Sequence, residues 1–208
     1  WPWIQLSNLS RALLPGTVTI LCGDPGSSKS FFIIEALWTW MEEGIKVACY
    51  MIEDNIEDHL WRALAQKTAT TKLFEEKWIQ ANPEFCRNLQ QETAGFQDSL
   101  GECLWVAPDA PPKLLGLIAW VQDRCNEGAR IIVIDPVTIA SYSTRETWEE
   151  DLRFMVAVKS IVRLAGASLI LVTHPKNDKG NAASHERLSG GTAYSRFTHT
   201  ILWLQYLD

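Results

Sequence analysis

The stretch Val18-Thr19-Ile20-Leu21-Cys22-Gly23-Asp24-Pro25-Gly26-Ser27-Ser28-Lys29-Ser30 restricts the fold more than any other part of the chain. Apolar and β-branched residues run into a Gly-Asp-Pro-Gly turn signal, which reads as a buried strand followed by a tight loop. The run from Phe31 to Met41 contains neither Gly nor Pro and reads as a helix. The loop fits G-x-x-x-x-G-K-[ST] at every fixed position but one. Gly23, Lys29 and Ser30 fill their places, and Ser28 stands where the second glycine belongs. In such a loop, backbone N–H groups and the helix N-terminus bind phosphate oxygens. Gly23 and Gly26 let the chain turn and approach the anion. The lysine reaches the β- and γ-phosphates, and the hydroxyl ligates Mg²⁺. Asp24, Pro25 and Ser27 complete the cradle. Ser28 leaves three outcomes open: a tighter loop, weaker nucleotide binding, or simple tolerance.

Three further strands end in polar residues. Residues 45–52 form one, followed by Glu53, Asp54 and Asn55. Carboxylates at the C-terminal end of a strand lie where α/β sheets bind ligands. They also suit the start of the helix that Asn55 caps, from residue 56 to about 67. Residues 131–134 are Ile-Ile-Val-Ile and end in Asp135, the form of a Walker B strand, whose acid organises the Mg²⁺ shell. Residues 168–173 end in His174, which is either a ligand-edge group or a satisfied strand-end histidine.

From His174 to Arg196, four basic side chains (Lys176, Lys179, Arg187, Arg196) face two acids (Asp178, Glu186). This is a locally positive stretch in a chain whose net charge is −6. That net charge excludes a surface coated for nucleic acid and leaves room for one basic loop. Five cysteines without C-x-x-C pairing point to reduced thiols in a cytoplasmic protein. No apolar run approaches ~18 residues, so neither a membrane span nor a signal peptide is expected. With 47% apolar residues the chain can bury a sizeable core as one domain, residues 1–208. Its start at Trp1 rather than Met reads as a domain excised from a longer protein. Ten tryptophans receive core and interface roles by default.

Elsewhere, a short helix capped by Ser7 or Asn8 is expected to run through Leu13, and others to cover 113–126 and the region up to 164. In that last helix Trp148, Leu152, Met155, Val156 and Val162 fall at helical spacing. Residues 68–101 read as a rim insertion with short helices near 72–80 and 84–92 and no assigned chemistry. A final strand covers 200–204, after Gly190 and Gly191.

Taken together, the phosphate loop, the strand 50–52 with its Glu53-Asp54, the 131–136 strand and the Val172-Thr173-His174 end resemble the RecA superfamily over nearly the whole chain. Within it they are most similar to RepA-type and DnaB-type hexameric helicase ATPases. The resemblance implies an α/β fold with a mostly parallel sheet and helices on both faces. It implies ATP and Mg²⁺ as cofactors, with Lys29 and Ser30 on the triphosphate and metal. Glu53 would be general base, Asp135 a metal-shell acid and His174 a γ-phosphate sensor. Lys176, Lys179 and Arg187 would lie in a single-stranded DNA loop facing the pore of a homo-oligomeric ring. An arginine finger would come from a neighbour, with Arg196 the candidate and His199 the fallback. Two departures stand out: Ser28, and an Arg196 out of clean register. A recombinase or mediator ATPase, a KaiC-like regulatory module without DNA, and more remotely a small-molecule kinase are the rival functions.

Overall fold

The computed structural model describes residues 1–53, 55–106, 110–176, 187–189 and 191–205. Its centre is a six-stranded sheet made of β1 (Val18–Gly23), β2 (Val47–Met51), β3 (Leu104–Val106), β4 (Ile131–Asp135), β5 (Ser168–Thr173) and β6 (Thr200–Leu204). The strand order is β3-β2-β4-β5-β1-β6 and every pairing is parallel. β1, β4 and β5 are buried along their whole length, which is why they read as continuous apolar runs rather than alternating ones.

Helices cover both faces. On one face α2 (Lys29–Glu42) packs Ile33, Ile34, Leu37 and Trp40 against Leu21, Cys49, Val133, Ile170 and Val172. On the other face α7 (Gly116–Asn126), α8 (Thr147–Ala165) and α9 (Gly191–Phe197) cover Ile20, Ile132, Ile134, Leu169 and Leu171. Strand residues of alternate parity thus feed the two cores.

α3 (Ile56–Thr68) begins as its cap dictates: the Asn55 side chain accepts from Asp58 N at 2.9 Å. After it come a 3₁₀ turn at Thr71–Phe74, α4 (Glu76–Ala81), α5 (Pro83–Glu92) and α6 (Ala94–Cys103). Leu64, Ala65, Leu73 and Cys86 form a small core of their own there, with Trp61 and Trp78 against it.

The N-terminal helix α1 lies earlier in the chain than expected. It runs Ile4–Leu9, so Ser7 and Asn8 lie inside it, and Leu13 turns to φ 68°. Its neighbour Trp3 stacks on Phe32, and Trp1 packs at a tilt against Phe32 and Trp40, which accounts for part of the tryptophan excess. In α8, Met155 and Val162 are buried. Trp148, Leu152 and Val156 instead face outward, because Phe154 and Val158 take the sheet side.

Candidate nucleotide site

Strand register gathers the polar strand ends. Met51 pairs with Asp135, and Cys22 pairs with Thr173. The residues just beyond β2 and β5, Glu53 and His174, therefore reach the same sheet edge as Asp135 and the loop after β1. They lie on adjacent strands, at the C-terminal edge where parallel sheets bind ligands.

The loop itself is tightly built. A Cβ at Gly23 would stand 2.4 Å from Ser27 Oγ and 2.7 Å from the Leu204 carbonyl, so only glycine fits. Ser27 N donates to Asp24 O at 3.0 Å, and Gly26 turns at φ 81°. Ser28 stands at the N-cap of α2 with φ 65° and ψ 25°. This left-handed backbone is what the pattern's second glycine would adopt without cost. The Ser27 hydroxyl is buried without a hydrogen-bond partner among the described residues.

Lys29 is buried, and its Nζ donates to Gly23 O at 2.8 Å and Asp24 O at 3.0 Å. Burial lowers its pKa, while Asp135 chiefly, then Cys22, Glu53 and Asp24, pull it back. Around it a cavity of about 200 Å³ is lined by Gly26, Ser28, Lys29, Ser30, Phe31, Glu53, Arg62, Asp135 and His174. Asp135 is buried and Glu53 is half-exposed.

His174 Nε2 lies 3.8 Å from Glu53 Oε2. Burial, then the charge of Lys29, lowers the His174 pKa, and Glu53 opposes them. The ring is therefore neutral at pH 7, and the contact is a neutral imidazole beside a carboxylate rather than an ion pair. His174 Nδ1 is buried with no partner among the described residues, the state of a group waiting on a polar ligand.

A triphosphate with Mg²⁺ suits this donor set. The Ser30 hydroxyl and the Asp135 carboxylate are hard oxygen ligands, and the cation Lys29 and the α2 N-terminus match phosphate. No cluster of three His, Cys, Asp or Glu among the described residues could hold a metal alone.

Arg62 and Phe31 are site residues that the sequence reading missed. The Arg62 guanidinium lies 5.7 Å from the Phe31 ring centre, and both line the cavity. Arg62 reaches it from the second turn of α3, and only that helix's packing against α2 reveals the approach.

The basic stretch divides. Lys176 is exposed, and its N–H donates to Arg187 O at 2.7 Å, beside a Pro175–Leu188 antiparallel bridge. Lys179 and Asp54 lie outside the described residues. Arg187 is only 12% exposed, and its Nη2 stands 3.6 Å from Asp24 Oδ1 of the phosphate loop. Arg196 is exposed on α9, in a depression shared with Trp148 and Asp151, and does not line its own chain's cavity. His199 Nδ1 accepts from Val18 N at 3.0 Å, which pins it at the opposite sheet edge from the cavity.

A family described as AAA domain matches residues 5–180. The chain belongs to that family. Among curated proteins, none matches it. Two solved structures share the fold of this AAA domain. One is described as an ATPase domain, with TM-score 0.70 and 11% identity, covering 96% of this chain and 74% of the other. The second is a DnaB-like replicative helicase described together with its interactions with primase, with TM-score 0.75 and 11% identity. That match covers 97% of this chain and half of the helicase. The AAA domain thus shares the α/β, RecA-like fold of these two structures, with its central sheet all parallel. Among the described residues, no helix is long and apolar enough to cross a membrane.

Proposed function

We propose that this AAA domain hydrolyses ATP with Mg²⁺ and acts on single-stranded DNA as a helicase-like motor assembled from several copies. One observation carries the reading: Lys29, Ser30, Glu53, Asp135 and His174, from four adjacent strand ends, line one cavity at the N-terminus of α2.

Lys29 and the backbone N–H groups of the loop hold the β- and γ-phosphate oxygens. Ser30 and Asp135 would hold Mg²⁺, whose charge offsets the negative charge of the transferring phosphoryl group. Glu53 orients a water and accepts its proton as the water oxygen bonds to the γ-phosphorus and the bond to the β-phosphate oxygen breaks, leaving ADP and phosphate. The half-exposed position of Glu53 keeps it within reach of solvent water. Neutral His174, beside Glu53 and next to the Pro175–Leu188 bridge, can report the γ-phosphate to the basic loop. Lys176 and Lys179 would then take DNA phosphates, as proteins that track single strands do.

A regulatory ATP-binding module without DNA is the second reading. The net charge of −6 and the engagement of Arg187 with Asp24 favour it, since both reduce the charge offered to DNA. Binding of a labelled single-stranded oligonucleotide across a salt series separates the two. Affinity that falls steeply with salt, and falls further in Lys176→Ala with Lys179→Ala, supports the motor. No binding, with ATP bound, supports the regulatory module.

A further inference from the structure

Nine of the ten tryptophans are buried or half-buried, and one stands in solvent: Trp148, 62% exposed in the first turn of α8. It forms one wall of a depression of about 130 Å³ between α8 and α9, shared with Asp151, Leu152, Thr192, Arg196 and Phe197. That is too small for a drug-sized ligand, which takes about 300–1,000 Å³, and suits a single flat ring system. Asp151 is buried, and its Oδ1 accepts from Tyr142 OH at 2.9 Å, so a ligand in the depression would meet Oδ2.

The topology decides where this depression lies. α8 follows the loop that leaves β4 after Asp135, and α9 follows the basic segment that leaves β5. Trp148 and Thr192 stand in the first turns of these two helices. The depression therefore sits at the feet of both loops, at the ligand-binding edge of the sheet. Its floor is firm, because Phe154 and Tyr194, both buried, stack at 6.4 Å and join α8 to α9. Exposed Arg145 precedes Trp148 by three residues, and Arg196 lines the depression itself. Arg153 is offset by Glu149 at 3.9 Å.

An exposed aromatic face, a hydroxyl, a buried carboxyl oxygen and an arginine match a flat heterocycle that carries N–H groups and has an anion beside it. We propose that the depression seats one base of a single strand, with Trp148 stacked on its face, Thr192 and Asp151 at its polar edge and Arg196 on its phosphate. The inference rests on the single-stranded DNA reading and adds to it a contact with a base, where Lys176 offers only a contact with phosphate. Stacking accepts any base, because every base has a π-face, so the seat suits a protein that moves along a strand.

Two labelled strands of equal length test the seat: an oligo-dC and the same sugar–phosphate backbone without bases. Binding is read by fluorescence anisotropy across a salt series, with Mg²⁺ and a non-hydrolysable ATP analogue present. Trp148→Ala should weaken binding of the base-bearing strand about 5–100-fold, the range of one lost stacking contact, and leave the abasic strand unaffected. Its salt slope should match wild type, because no phosphate contact is lost, whereas Lys176→Ala should flatten the slope on both strands. Trp148→Phe keeps an aromatic face and should restore most of the affinity. Trp148→Ala that weakens both strands equally, or neither, overturns the seat. A wild-type chain that binds neither strand overturns the DNA reading and the seat together. Steep salt dependence with no effect of Trp148→Ala overturns the seat alone, so the two failures are distinguishable.

Discussion

Ser28 holds the left-handed backbone from which α2 starts, a conformation that costs a non-glycine residue about 1–2 kcal/mol. Ser28→Gly relieves this and gives back about 0.4–1 kcal/mol through the freer unfolded chain. Urea denaturation should show a net gain of about 0.5–1 kcal/mol, and a loss of stability would contradict the strain. Glu53→Gln should leave nucleotide affinity intact and slow hydrolysis about 10²–10⁴-fold, the range for a lost general base; equal loss of binding and rate would instead make Glu53 structural. Asp151 offers a pH test. Burial pushes its carboxyl up to about 6, Tyr142 OH at 2.9 Å opposes this, and Glu150 adds to it. Unfolded, the group ionises near about 3.9, so its contribution to stability is present below that pH and lost as pH rises through about 6. Asp151→Asn should therefore stabilise the protein at pH 7, by at most about 3 kcal/mol, with the gain gone below about pH 4. Lys29, Glu53 and Asp135 were legible because strand-end chemistry is local. Arg62 was not, since it reaches the cavity from a helix whose approach depends on tertiary packing.

At the level of elements, the segment after β5 leaves the sheet through the Pro175–Leu188 bridge, and Arg187 ties that neck to Asp24 of the phosphate loop. The sequence reading assigned Arg187 to DNA, because a charge run shows its composition and not where each side chain folds back. The structure adds a short link between that neck and the loop after β1. Arg187→Ala should leave DNA-free hydrolysis near the wild-type rate and remove most of its stimulation by DNA, as measured by phosphate release with and without oligonucleotide. Stimulation that survives would dissociate the neck from coupling. Strands β1, β2, β4, β5 and β6 were readable to within two residues. α6 and α9 went unread: Gly95 and Gly101 weaken the helical signal of one, and the other is a seven-residue helix that begins at Gly191.

For the whole molecule, the order of strands follows from where the chemistry must meet. β1 leads to α2, which crosses over β5 and β4 to reach β2, and the later strands fill the gap. Asp135 and His174 are thereby inserted between Glu53 and the phosphate loop. The sequence named these strands and their polar ends, and resemblance supplied the sheet. Which side of α8 faces solvent was beyond it, since Trp148, Leu152 and Val156 share a helical spacing with Met155 and Val162 and yet stand exposed. ATP hydrolysis measured with and without single-stranded DNA, with Lys29→Ala as control, tests the central claim most directly. A DNA-stimulated rate that the substitution abolishes is the predicted result. Hydrolysis indifferent to DNA, or unchanged by the loss of Lys29, would contradict it.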